Sequence, residues 1–118
     1  MADAVSSSRA GPVLHVTLDD GERNVLTLAS VQALLGLIEQ AESDPEIGVV
    51  LLEGNDRALT VGLDTDTVLG GGDEARRLLA GMGAVLRLLY LSRLRSVVLA
   101  GGHATAAGAM LLLVADRR

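Results

Sequence analysis

Ser96-Val97-Val98-Leu99-Ala100-Gly101-Gly102-His103-Ala104-Thr105-Ala106-Ala107-Gly108-Ala109-Met110-Leu111 is the stretch whose reading decides the fold. An apolar, β-type run stops at two glycines, crosses a turn of small residues and restarts as an apolar helix. The first amides of a helix have no intrahelical acceptor, so a strand that re-enters as a helix gathers several backbone N–H groups into one space. Such groups suit a phosphate, a carboxylate or a developing oxyanion.

Outward from this junction the chain alternates strand and helix. Val13-Leu14-His15-Val16-Thr17-Leu18 reads as a short strand closed by the turn Asp19-Asp20-Gly21, with His15 facing solvent. A helix is expected over 28–42, capped by Thr27 or Ser30, with Val31, Leu34, Leu35, Ile38 and Ala41 as its apolar stripe and Asp44-Pro45 as its stop. Gly48-Val49-Val50-Leu51-Leu52 is continuously apolar, which predicts a strand buried on both faces. Gly70-Gly71-Gly72 reads as a flexible hinge; phosphate binding is disfavoured because no GxGxxG follows a strand there. Asp73 is expected to cap a second helix over 74–90 with a stripe of Ala75, Leu78, Leu79, Met82, Val85, Leu86 and Leu89, weakened at Gly81 and Gly83. The helix over 107–115 is apolar on nearly every side and is expected to be buried on nearly every side. The order predicts an α/β fold with parallel strands and crossover helices. Residues 1–10 read as disordered. With only Asp116-Arg117-Arg118 after so apolar a helix, the chain reads as truncated or as needing a partner subunit.

Composition narrows the chemistry. The 118 residues make one small domain. With 1% aromatics, the core must be Leu, Val and Ala. Zero cysteines exclude disulfides and thiolate metal sites. Every basic residue is Arg, so Schiff-base chemistry and a P-loop lysine are excluded. A net charge of −5 argues against nucleic acid. No apolar h-region opens the chain and the run 110–115 is too short to span a bilayer, so the expectation is a soluble, cytoplasmic protein without membrane contact.

Five segments together resemble one family. Asn24-Val25-Leu26 is similar to its Asn-Ala-Leu after the first strand and turn. Val49-Val50-Leu51-Leu52-Glu53-Gly54 resembles its second core strand, and Leu59-Thr60-Val61-Gly62-Leu63-Asp64 its Phe-Ser-Ala-Gly-Ala-Asp loop. Gly102-His103-Ala104-Thr105-Ala106-Ala107-Gly108 resembles its Gly-x-Ala-x-Gly-Gly-Gly turn, and Asp116-Arg117 the Asp-x-Arg that follows. The set, in order over residues 12–118, resembles the N-terminal half of the crotonase (enoyl-CoA hydratase/isomerase) superfamily.

The resemblance implies an α/β, crotonase-like (ClpP/crotonase) spiral of ββα units, incomplete and lacking the C-terminal helical trimerisation region. Residues 11–118 would be a truncated acyl-CoA-binding domain. The ligand would be a coenzyme A thioester, with no separate cofactor and no metal. Its oxygen would lie between the backbone N–H groups of Val61 and Ala107. Arg23, Val25, Leu59, Gly62, Leu63, Asp64, Gly108 and Met110 would contact the ligand. Arg23 and Arg57 read equally as phosphate contacts and as ordinary surface arginines. A homo-oligomer, trimer or hexamer, is what the family implies.

One position departs from the family. Typical hydratases resembling this chain carry a glutamate where Met110 stands, and a second that falls beyond residue 118. Methionine cannot transfer a proton. Asp64, Asp66, Asp73, His103 and Asp116 form no convincing acid/base pair, and Met110 also reads as a core filler. The implied function is thioester binding through an oxyanion hole with hydratase chemistry doubtful. The alternatives are a non-catalytic acyl-CoA-binding or partner subunit, and a gene remnant.

Overall fold

The computed structural model describes residues 4–118. Its main sheet has the order β1-β2-β4-β7, from β1 (Val5–Ala10), β2 (Val13–Leu18), β4 (Val49–Glu53) and β7 (Arg95–Leu99). β1 runs antiparallel to β2, while β2, β4 and β7 are parallel. The parallel strands are joined by crossovers holding α1 (Leu28–Ser43) and α3 (Gly72–Leu91). Two small parallel pairs complete the frame: β3 (Val25–Leu26) with β6 (Gly62–Leu63), and β5 (Ala58–Thr60) with β8 (His103–Ala104). The short α2 (Thr65–Gly70) and the last helix, α4 (Ala107–Val114), follow β6 and β8.

Local chemistry explains the main elements. Thr27 and Ser30 cap α1 together: Ser30 N–H donates to Thr27 Oγ1 at 3.1 Å and Thr27 N–H to Ser30 Oγ at 2.8 Å. Val31, Leu34, Ile38 and Ala41 are buried on α1, and Leu35 is half-buried. At the other end Arg93 donates to the carbonyls of Ile47, Ala41, Glu42 and Asp44 at 2.7–3.1 Å, tying α3 to the end of α1. Gly81 serves packing as well, because a Cβ there would lie 2.9 Å from Val31 Cγ1. The inner face of the sheet (Leu14, Val16, Leu18, Val50, Leu52, Val98) meets these two helices in one core.

The structure corrects several expectations. Residues 5–10 form β1, so disorder is wrong there; residues 1–3 lie outside the description. The strand gives no periodic signal because its side chains are small, mostly polar and mostly exposed, and what holds it is backbone pairing to β2. β4 is buried on one face only: Val50 and Leu52 point to the core, while Val49, Leu51 and Glu53 are half-buried. The helix α4 likewise buries Ala107, Gly108 and Leu111 but leaves Met110 and Leu113 exposed. The glycine run is a corner between helices, with Gly71 (φ +67°) and Gly72 (φ +72°) in conformations that favour glycine. Gly71, not Asp73, is the cap residue of α3; Asp73 sits in the first turn and pairs with Arg76. His15 is half-buried, its Nε2 2.6 Å from Glu53 Oε1 on the neighbouring strand. Among the described residues no helix is long and apolar enough to cross a membrane.

Candidate functional site

The loop over 58–64 is held by one buried side chain. Asn24 (φ +59°) donates through Nδ2 to the carbonyls of Leu18, Ala58 and Leu59 at 2.8–3.1 Å, and its Oδ1 accepts from Asp20 N–H. Thr60 Oγ1 donates back to the Asn24 carbonyl. Near this hub Asn55 Nδ2 donates to Asp19, which holds the Asp19 carboxyl below its usual range; the Gly21 amide adds to the effect.

The amides of this loop are mostly committed. Val61 N–H donates to the Arg23 carbonyl at 3.2 Å, Gly62 N–H to Thr60 Oγ1 at 3.0 Å and Asp64 N–H to the Leu26 carbonyl at 2.9 Å. Gly62, at φ +109°, lies between these bonds and breaks the regular strand alternation, so the amides of Val61 and Asp64, three residues apart, both face the 23–26 segment. The amide of Val61, expected from sequence to face a ligand, is occupied by Arg23.

The second loop packs onto the first at backbone distance. Thr105 N–H donates to the Thr60 carbonyl at 3.2 Å. A Cβ on Gly108 would stand 2.5 Å from that carbonyl, and one on Gly62 would stand 3.0 Å from Ala106 Cβ and 3.6 Å from Ala107 N. Gly108 N–H closes a tight turn onto the Thr105 carbonyl at 2.9 Å. Ala106 is the strained residue of that turn, at φ 53° and ψ −116°. Ala107 follows as the first residue of α4, where a helix amide lacks an intrahelical acceptor.

Leu63, Ala107 and Met110 come together on the wall of a cleft of about 500 Å³ bounded by α2, α3 and the start of α4. Val68 and Leu69 of α2 and Leu79, Met82, Gly83 and Leu86 of α3 supply most of the rest of its lining, with Ala106 and the single hydroxyl-bearing residue Thr65. Among the described residues, no charged side chain and no histidine lines it. Leu69, Leu79 and Met110 are 84%, 52% and 51% exposed, so they are surface a ligand would cover. Met110 is thus a cleft wall and not a core filler.

Other expected residues lie elsewhere. Arg23 lines a separate polar cleft of about 580 Å³ with Glu22, Asp56, Arg57, Gly102 and His103. Arg57 is paired there with Glu22 at 3.1 Å. Leu59 is 0% exposed, which rules out side-chain contact with a ligand. Val25 is partly exposed on β3. Asp64 starts α2 and accepts from Thr67 Oγ1 at 2.7 Å. Asp116 accepts from Ser96 N–H at 2.8 Å, and Asp66 is exposed in the first turn of α2. Among the described residues, no three His, Cys, Asp or Glu side chains gather as a metal site.

Sequence reasoning missed part of the cleft. Leu79 and Leu86, expected in the core stripe, stand one position after the buried Leu78 and Val85, on an adjacent face. That offset was the available signal. Val68 and Leu69 lie on the six-residue α2, which is too short to show a helical stripe in the sequence.

A family model and the solved structures place the chain beside one family. The model of the family described as enoyl-CoA hydratase/isomerase matches residues 8–118. The fold superposes on an enoyl-CoA isomerase of Mycobacterium tuberculosis with TM-score 0.84 and 34% identity, covering 99% of this chain and 51% of that one. A second structure of that same protein, there described as a probable enoyl-CoA hydratase, gives 0.84 and 34%, covering 98% and 49%. The enoyl-CoA hydratase of Bacillus halodurans gives 0.86 at 20% identity, covering 97% and 49%, a likeness of fold alone. The chain spans about half the length of these solved structures. Among curated proteins, none matches.

Proposed function

The chain belongs to the enoyl-CoA hydratase/isomerase family, and from that premise we propose that it binds an acyl-CoA thioester where its two glycine loops meet. The thioester oxygen would sit between the amides of Leu63 and Ala107, with the acyl chain in the apolar cleft. The observation that carries this reading is the cleft itself: one apolar wall reaches both Leu63 and the start of α4, which no side chain caps. Leu63 replaces Val61 as the first donor because the Val61 amide would have to leave the Arg23 carbonyl. Gly62 and Gly108 serve by letting the two backbones approach. The positive end of α4 would favour negative charge on the oxygen.

Two amide donors and a helix terminus can stabilise an enolate, but they cannot move a proton to or from carbon. Met110 stands on the cleft wall, and among the described residues no titratable side chain accompanies it. The reading is therefore thioester recognition without hydration by these residues. The polar cleft holding Arg23 and Arg57 is the candidate seat for the coenzyme's phosphates. No separate cofactor is invoked, and a cytoplasmic homo-oligomer, trimer or hexamer, is the assembly proposed from family membership. The lack of a titratable group in the cleft favours one second reading, a non-catalytic acyl-CoA-binding or partner subunit.

Calorimetry tests the site. The chain should bind butyryl-CoA more tightly than S-butyl-CoA, the thioether lacking the carbonyl, by about thirtyfold, taking about 1 kcal/mol for each of two hydrogen bonds. Equal affinity would remove the oxyanion hole from the proposal, and absence of binding would remove the proposal. With crotonyl-CoA, the enoyl absorbance should persist at the uncatalysed rate. Turnover above background would overturn the role given to Met110 and decide against the non-catalytic reading.

A further inference from the structure

Two glycines interrupt α3, and their surroundings differ. Gly81 faces α1, where a Cβ would press on Val31 Cγ1. Gly83 faces the apolar cleft, and a Cβ there would meet nothing within 4 Å. A glycine inside a helix lowers its stability relative to alanine. Packing accounts for Gly81 but not for Gly83.

Gly83 stands among Leu79, Met82 and Leu86, at the helical spacing where an apolar side chain would complete the stripe. A leucine there would project into the cleft, toward the wall formed by Leu69 and Met110. The missing side chain is therefore part of the cleft's volume. We propose that Gly83 sets the length of acyl chain the cleft accepts, leaving room for a chain of medium length. This rests on the thioester reading above and deepens it. Each methylene buried against the cleft wall is worth roughly fourfold in affinity. A side chain at position 83 removes the space for the distal methylenes and leaves the amides of Leu63 and Ala107 untouched.

The test is calorimetric titration of the whole chain and of Gly83→Ala and Gly83→Leu with butyryl-, hexanoyl-, octanoyl- and decanoyl-CoA, with thermal melts to show that each variant folds. The unsubstituted chain should gain affinity with chain length through octanoyl-CoA. Gly83→Leu should keep butyryl-CoA affinity within about twofold and lose at least tenfold on octanoyl-CoA, since three or more methylenes are displaced at roughly fourfold each. Gly83→Ala should melt higher and shift the length preference by less. The same length profile in Gly83→Leu as in the unsubstituted chain would overturn the role of Gly83 while leaving the thioester reading in place. Failure of the unsubstituted chain to bind any of the four would overturn both.

Discussion

Ala106 carries a conformation that glycine holds at lower cost. At φ 53° and ψ −116° it forms the corner of the turn that leads into α4, a region costing a residue with a side chain about 1–3 kcal/mol. Ala106→Gly should relieve that strain and lose part of the gain to the greater freedom of glycine in the unfolded chain. The expected result is a net stabilisation of about 1 kcal/mol in urea unfolding, and a loss of stability would show that the turn is unstrained in solution. A neighbouring loop gives a pH test. Asn55→Ala removes the main cause that holds the Asp19 carboxyl low. Its pKa should rise toward the ordinary carboxylate range when followed by NMR. The sign follows from linkage: a depressed carboxylate stabilises the fold above its unfolded pKa and loses that contribution as pH falls through its folded pKa. Removing Asn55 should therefore soften the acid dependence below about pH 4; an unmoved Asp19 titration would contradict it. At this scale the glycines and Met110 could be read from sequence as marking the site. The direction of a backbone amide could not, because it depends on which carbonyl competes for it, and Arg23 competes for that of Val61.

Elements with a one-sided apolar stripe were legible, and those held by pairing or by tertiary caps were not. The 3.6-residue spacing in α1 and α3 located both helices, since burial on one face requires that spacing. β1 has no apolar alternation to read, and the two-residue strands β3, β6 and β8 are defined by pairing with distant segments, β3 with β6 and β8 with β5. The end of α1 is another case. Asp44-Pro45 marks the stop, but the carbonyls freed there are taken by Arg93, nearly fifty residues on. Arg93→Ala should leave those acceptors without their donor and destabilise the chain by about 2–3 kcal/mol, the range for hydrogen bonds from a charged group. Arg93→Lys should recover only part of that, because an ammonium cannot span the carbonyls as a planar guanidinium does. Equal stability of the three proteins in denaturant would show that water replaces Arg93 without cost.

The whole molecule is close-packed on one side of its sheet and thinly covered on the other. Its radius of gyration of 13.2 Å lies near the ~13.5 Å expected for a compact domain of this length, so one contiguous core accounts for its size. That core lies between the inner face of the sheet and the pair α1–α3. The outer face carries Val13, His15 and Thr17 of β2 beside Val49, Leu51 and Glu53 of β4, all half-buried. Sequence could not separate the faces of β4, because an unbroken apolar run looks the same whether one side or both are covered. Substitution can separate them. Leu52 is 0% exposed, and Leu52→Ala should cost about 2–5 kcal/mol by opening a cavity in the core. Leu51, one residue away and half-buried, should accept threonine for under about 1 kcal/mol, since threonine suits a strand and little packed volume is lost. Denaturant unfolding of both variants, repeated over a hundredfold range of protein concentration, reads the contrast. If Leu51→Thr costs as much as Leu52→Ala, and the cost grows with concentration, the outer face is covered in solution by a second copy. A cost independent of concentration and under about 1 kcal/mol leaves the single layer of helices as the source of stability.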